Sequence, residues 1–430
     1  MKISIDPVIS SRIKKAWSQL TPQQQQQLAP QILAAHQQAV QVAQTGKAPA
    51  GKAAPHHLAL AHSVLTNDSD GVVSSLDAGV VITVGPDGVI WGTGKWEQLD
   101  PGWAEAFAVY LESLLPLVGK HAFVNAPQSI AIPDQITIGI AGDWGTGDWR
   151  NPPNLAPSTD VGKHLEFLAA DITIHLGDVY YAGTEAQELH SFSMIWPQGS
   201  LGSFMLNSNH EMYSGAKPYF QTIGDPDPKS KFIKQAGCSY FALENSNWAI
   251  LGLDSAYYSP EDGLYMDGLL YPENKPNEQN DFLKQKATEA TTAGKRIILL
   301  THHNGLDDSG TTQNKLFEQV TGAFGGGGPV YWYWGHEHIA AVYKPSGPAG
   351  TLCRCCGHGA LPWGQASDLE TSANVVWYEK RFANDPDIQK RVFNGFATLR
   401  LDGPTIRETF YDENGHVAWT PAASPQTGQI

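Results

Sequence analysis

The stretch ITIGIAGDWG, residues 136–145, is an apolar run, Ile136–Ala141, that ends at the carboxylate of Asp143. The same arrangement recurs downstream. Ile172–Leu176 ends at Asp178, Phe204–Leu206 at Asn209, Ile297–Leu300 at His302, and Val330–Trp334 at His336. Short apolar runs of this kind read as buried strands. Tyr240–Leu243, Trp248–Leu253, Val375–Tyr378 and Phe396–Leu401 are further strand candidates, and helix signals at Val161–Leu168 and Asn280–Thr288 fall between them. Strands alternating with helices predict an α/β sheet, which places its site at the carboxyl ends of the strands. The polar residues that end these runs fall at that edge.

Upstream, residues 1–130 have a different texture. Val8–Trp17 predicts a helix, and Thr21-Pro22 reads as a cap opening a second helix through the glutamine run to about Gln44. Gly46–Pro55 (GKAPAGKAAP) is a linker by composition. Val80–Val84 and Val89–Trp91 flank Gly85-Pro86-Asp87-Gly88, a hairpin signal, and Trp103–Leu117 predicts an amphipathic helix. No motif in this region suggests chemistry, and it reads as a small α+β extension before a second domain over 131–430.

The chain has 430 residues, 28 basic and 43 acidic, for a net charge of −15. Such acidity disfavours general binding to nucleic acid or an anionic membrane, because nothing neutralises the phosphates. It leaves room for a phosphate-bearing substrate if metal ions supply local positive charge. The 4 cysteines are too few for a disulfide scaffold, and reduced thiols point to a cytoplasmic protein. The N-terminal stretch has no continuous apolar run of the kind a secretory signal needs. No run of about 20 apolar residues offers a membrane span.

Each polar strand end has a plain reading by itself, since an Asp after a strand commonly serves as a turn residue. Gly335-His336-Glu337-His338 says more, because alternate residues of an extended segment point the same way and can converge on neighbouring ions. Five clusters in order, each after an apolar run, make independent chance a poor account.

With these residues in view, the sequence resembles the calcineurin-like metallophosphoesterases, and within them the purple acid phosphatase branch. The family's motifs stand here as Gly142-Asp143-Trp144-Gly145, Gly177-Asp178-Val179-Tyr180-Tyr181, Ser208-Asn209-His210-Glu211, Leu299-Leu300-Thr301-His302-His303 and Gly335-His336-Glu337-His338. Gly145 stands where the general family has a histidine, and Tyr181 stands three residues after the second Asp, as in the purple acid phosphatases. Ser208 replaces the family's glycine. The resemblance implies a four-layer α/β/β/α sandwich with the site at the strand ends. It implies two metal ions, one held by Asp143, Asp178, Tyr181 and His338, the other by Asp178 as a bridge with Asn209, His302 and His336. Anionic oxygen donors at the first position favour Fe(III). Imidazoles and a neutral amide at the second suit Zn, Fe(II) or Mn, among which affinity alone does not choose. The implied reaction is hydrolysis of a small phosphate monoester by metal-activated hydroxide, with His210 as general acid at the leaving group. Phosphodiester cleavage on the same site is the alternative. A non-enzymatic metal-bound interaction module is the rival from another class, and it predicts a site lacking ligands or acid.

Several neighbours carry two readings. His303 either binds the substrate phosphate or faces away from the ligands, since strand neighbours alternate. By the same alternation Glu337 is expected to face away from the metals. Trp144 is expected to pack, with some contact to the site, and Asp148 and Arg150 read as turn residues. Cys353, Cys355 and Cys356 read as buried thiols on a strand, because four donors from Cys353 to His358 leave little chain to wrap a tetrahedral metal. His358 is either a support near the metals or a turn residue. Residues 257–280 form a long loop expected to set specificity, whose Tyr257, Tyr258, Tyr265 and Tyr271 either wall the pocket or pack the loop.

Overall fold

A computed structural model describes residues 3–66, 72–73 and 82–421 of the chain. Two sheets stand face to face. The six-stranded sheet runs Val417–Trp419, Thr405–Asp412, Gly395–Asp402, Gln135–Ala141, Ile172–His175, Gly202–Met205. Its last three strands are parallel, and Gly395–Asp402 joins them antiparallel to Gln135–Ala141. The eight-stranded sheet runs Val375–Tyr378, Ala340–Tyr343, Leu352–Cys356, Tyr331–Trp334, Arg296–Leu300, Trp248–Gly252, Phe241–Glu244, Gln128–Ala131. Leu352–Cys356 through Trp248–Gly252 are its parallel centre.

The period-two alternation of strand side chains builds the layers. Ile138, Ile140, Ile174 and Phe204 from one sheet meet Ile250, Ile298, Leu300 and Tyr333 from the other in a dry core. Ile297 and Leu299 point the other way, into the layer beneath the outer helices. Helix Glu278–Thr292 covers the eight-stranded sheet and Pro157–Phe167 the six-stranded one. Gly139 permits the second contact, since a Cβ there would lie 2.3 Å from Leu165 Cδ1. The α/β/β/α sandwich is therefore as expected.

The N-terminal region also follows its local signals. Asp6 caps helix Pro7–Gln19, Thr21 and Gln24 form a capping box for Pro22–Thr45, and Gly46 ends that helix in the left-handed conformation. Thr83–Val84 pairs antiparallel with Ile90–Trp91; Val80 and Val81 of the expected hairpin lie outside the described residues. Two expectations change. Strand Gln128–Ala131 belongs to the eight-stranded sheet, so that sheet begins before residue 131. Helix Trp103–Ser113 is not amphipathic in its environment, because Ala106 to Leu111 are all buried. It is clasped between Pro7–Gln19 and the short helix Asn209–Tyr213, which places the extension against a site motif.

Candidate metal centre

The carboxyl ends of the parallel strands of both sheets converge, and the polar residues after them form one buried cluster. Asp143 follows Gln135–Ala141, and its Oδ2 accepts the His336 backbone N–H at 2.8 Å. Asp178 follows Ile172–His175 and stands between two groups of donors. Its Oδ1 lies 3.3 Å from His302 Nε2, and its Oδ2 accepts the Tyr180 hydroxyl at 2.8 Å. On the first side, His338 Nε2 lies 3.5 Å from Asp143 Oδ1 and 3.1 Å from the Tyr180 oxygen. On the second, Asn209 Oδ1 lies 2.9 Å from His302 Nε2 and 3.2 Å from His336 Nδ1, and the two ring nitrogens are 3.3 Å apart.

The orientation of these groups is set from behind. His302 Nδ1–H donates to the Leu176 carbonyl at 2.9 Å, which turns the Nε2 lone pair inward. Asn209 Nδ2 donates to Tyr213 at 3.0 Å, which turns its Oδ1 inward. Burial pushes the His302, His336 and His338 imidazoles below their ordinary range, which favours ring nitrogens that can offer lone pairs. Burial and the neighbouring Asp178 raise Asp143. Burial would raise Asp178 too, but the nearby His210 and His302 outweigh it and hold that carboxyl low. Converging lone pairs with so few protons to share suit cations, and the carboxylate, imidazole, phenol and amide donors match metal-ligand chemistry. Asp143, Asp178 and His336 all adopt left-handed backbone, with φ of 56°, 76° and 67°. Such conformations in non-glycine residues concentrate at functional sites.

The departures from the family pattern acquire physical reasons. A Cβ at Gly145 would lie 2.6 Å from the Asp178 carbonyl oxygen, so no side chain fits there. The Ser208 hydroxyl donates to Asp178 Oδ1 at 2.5 Å, contacts Glu211, and accepts the His210 N–H at 3.1 Å. Burial and then Asp178 push Glu211 up to about 8, so it keeps its proton at neutral pH.

Tyr181 stands elsewhere than the spacing suggested. Its hydroxyl donates to Asp100 at 2.7 Å and meets Lys95, and its ring packs on Trp96 and Trp103. Tyr180 holds the place beside Asp143, Asp178 and His338. Two adjacent tyrosines were the available signal, and only the aromatic pocket of the N-terminal region decides between them. His303 is also corrected as a phosphate contact. Its Nδ1 pairs with Ser255 at 2.9 Å and its Nε2 with the Tyr265 carbonyl at 2.8 Å, so both nitrogens are engaged while the ring supports His336. His210 points inward, with Nδ1 held by the Tyr181 carbonyl at 2.6 Å and Nε2 3.8 Å from Asp178 Oδ2.

The remaining neighbours resolve as follows. Trp144 is buried, donates to the Ser158 carbonyl and packs on Trp196. Arg150 is no mere turn residue, since it grips Asp385 with both terminal nitrogens at 2.9 and 2.7 Å. Cys353, Cys355 and Cys356 are buried on a strand, and burial pushes the Cys353 thiol up to about 12. His358 packs towards Phe410. Tyr257 and Tyr258 pack on Phe123, and the 257–280 loop instead lines a cavity beside the site through Met266 to Leu269. Lys52, His56 and Trp363, none of them legible as site residues, line the same cavity. Glu337 lines it too, although alternation had turned it away from the metals; its carboxylate pairs with Lys52 at 2.6 Å.

Comparison with known proteins bears on this geometry. No curated protein matches the sequence. Among solved structures, the chain is similar to GAP50, the anchor in the inner membrane complex of Plasmodium, at 12% identity and a TM-score of 0.47, covering 67% of this chain and 88% of that one. It is similar to the purple acid phosphatase PPD1 from yellow lupin (Lupinus luteus) seeds at 13% identity and a TM-score of 0.48, covering 67% and 54%. It is similar to a dimetal phosphatase from Danio rerio at 13% identity and a TM-score of 0.41, covering 64% and 95%. Among the described residues, no helix is long and apolar enough to cross a membrane. The sequence matches the family described as calcineurin-like phosphoesterase over residues 136–340, the span that holds Asp143 through His338. This chain therefore carries a calcineurin-like phosphoesterase domain.

Proposed function

We propose that the protein is a dinuclear metal-dependent phosphoesterase that hydrolyses small phosphate monoesters. The observation that carries this reading is the placement of Asp178, with one oxygen towards His302 and the other towards Tyr180. Asp143, Asp178, Tyr180 and His338 would hold one ion, and Asp178, Asn209, His302 and His336 the other. Bound cations supply Lewis-acid polarisation of phosphoryl oxygens and lower the pKa of water. His210 donates its Nδ1–H to the Tyr181 carbonyl, which aims Nε2 into the site; Nε2 delivers a proton to the leaving oxygen from the imidazolium form, which burial opposes and the nearby Asp178 supports. The buried walls limit water around that transfer. The test is a panel of p-nitrophenyl phosphate against bis-p-nitrophenyl phosphate on metal-loaded protein. Faster turnover of the monoester is expected; faster turnover of the diester would replace the monoesterase reading, and no turnover of either would overturn both.

His210→Gln is expected to keep its metal content while kcat on esters with poor leaving groups falls by about 10²–10⁴. Metal loss in that variant, read by elemental analysis, would make His210 a ligand or its support instead. Two carboxylates and a phenol at the first position favour Fe(III), and the second position suits Zn, Fe(II) or Mn. Iron loading is therefore expected to give a visible phenolate charge-transfer band that Tyr180→Phe abolishes and Tyr181→Phe leaves in place. A band lost only in Tyr181→Phe would reverse the choice of tyrosine.

A further inference from the structure

The cavity that reaches His336 and His338 has a volume of about 540 Å³, within the usual range for small-molecule sites. One of its walls comes from the N-terminal region, the segment that reads as a linker. Residues 52–54 are tied to the surrounding fold by three hydrogen bonds and an ion pair. Ala53 N–H donates to Asp87 Oδ2 at 2.7 Å, and Ala54 N–H donates to Gln38 at 2.8 Å. The Ala54 carbonyl accepts from Gln98 at 2.7 Å. Lys52 pairs at 2.6 Å with Glu337, which stands between two of the proposed ligands. At the end of the strap, the His56 ring lies 5.8 Å from His338, 4.9 Å from Trp103 and 6.2 Å from Trp363. Trp363 is fixed by donation from its indole N–H to the Asp87 carbonyl at 2.7 Å, and its ring lies 5.1 Å from His338.

We propose that residues 52–56 form the specificity wall of the site, with His56 and Trp363 receiving the organic group of the ester and selecting a flat, uncharged, aryl-like group. This rests on the phosphoesterase reading above. The physical basis is threefold. Two aromatic rings flank a residue proposed to hold a metal, so a planar group attached to a phosphoryl group there has faces to pack against. Ala53, Ala54, Pro55 and Met266 add apolar surface. The cavity lining also carries the carboxylates of Asp87, Asp267, Glu273, Asp308 and Glu337 against the cations of Lys52 and Lys315, an acidic excess that repels further anionic charge on that group.

The test uses non-hydrolysable phosphonates on the metal-loaded full chain, read by calorimetric titration. Phenylphosphonate is expected to bind about tenfold more tightly than methylphosphonate, and 4-phosphonobenzoate more weakly than phenylphosphonate. His56→Ala is expected to retain its metals and to bring the phenyl-to-methyl ratio close to one. A wild-type ratio near one, or equal weakening of both ligands in His56→Ala, would overturn the wall. Tighter binding of 4-phosphonobenzoate would overturn its charge preference, and no phosphonate binding at all would overturn the whole inference. Because no turnover is read, a failure here is distinct from a failure of the phosphoesterase reading, which is judged by hydrolysis of p-nitrophenyl phosphate.

Discussion

Asp178→Asn is expected to abolish the proposed dinuclear centre, lowering metal content below two ions per chain and kcat/KM on p-nitrophenyl phosphate by about 10³-fold or more. The substitution preserves volume and one acceptor oxygen but replaces the other with an N–H donor. That change falls where both oxygens are used, one facing His302 Nε2 at 3.3 Å and one accepting from Tyr180 at 2.8 Å. It also removes a negative charge from between two sites proposed to hold cations. The fold is expected to survive, since the residue is surrounded by hydrogen-bonding partners that an amide can satisfy. Circular dichroism on the same sample checks this. Retention of two ions with unchanged activity would remove the bridge, and with it the proposed centre.

The second large effect concerns stability. Arg354 on Leu352–Cys356 and Glu408 on Thr405–Asp412 join the two sheets across the dry core. The guanidinium grips the carboxylate at 2.9 and 2.7 Å, and Tyr333 donates to the same carboxylate at 2.6 Å. Both side chains are 5% exposed or less. Burial opposes the charge on Arg354 and Glu408 supports it. Glu408→Gln therefore leaves a buried cation without its counter-charge, and a loss of about 3–5 kcal/mol is expected in urea unfolding. Replacing both residues with apolar ones, as in Arg354→Met with Glu408→Leu, is expected to cost less than Glu408→Gln alone, because no charge is then stranded. A single substitution within about 1 kcal/mol of wild type would refute the argument.

Much of the fold was legible because its signals are local. The strands around Asp143, Asp178 and His302 appear as apolar runs, and the caps at Thr21 and Gly46 announce the second helix. Strands such as Thr405–Asp412 were harder to read, because alternating Thr, Arg and Glu resembles an exposed segment until the partner sheet buries Glu408. Which tyrosine faces the cluster was not legible for a related reason. Tyr180 and Tyr181 are adjacent along the chain, whereas Asp100, Lys95, Trp96 and Trp103, which claim Tyr181, lie some eighty residues upstream.

What the sequence determined by itself was the layered sandwich and which polar residues stand at the strand ends, since hydrophobic alternation and short motifs act over a few residues. Only the tertiary structure decided which tyrosine turns inward, that His303 is already fully engaged, and that a linker-like segment carrying Lys52 and His56 walls the cavity. These are outcomes of packing between distant segments, where the partners that satisfy each polar group and the space open to each ring depend on chain folded from elsewhere.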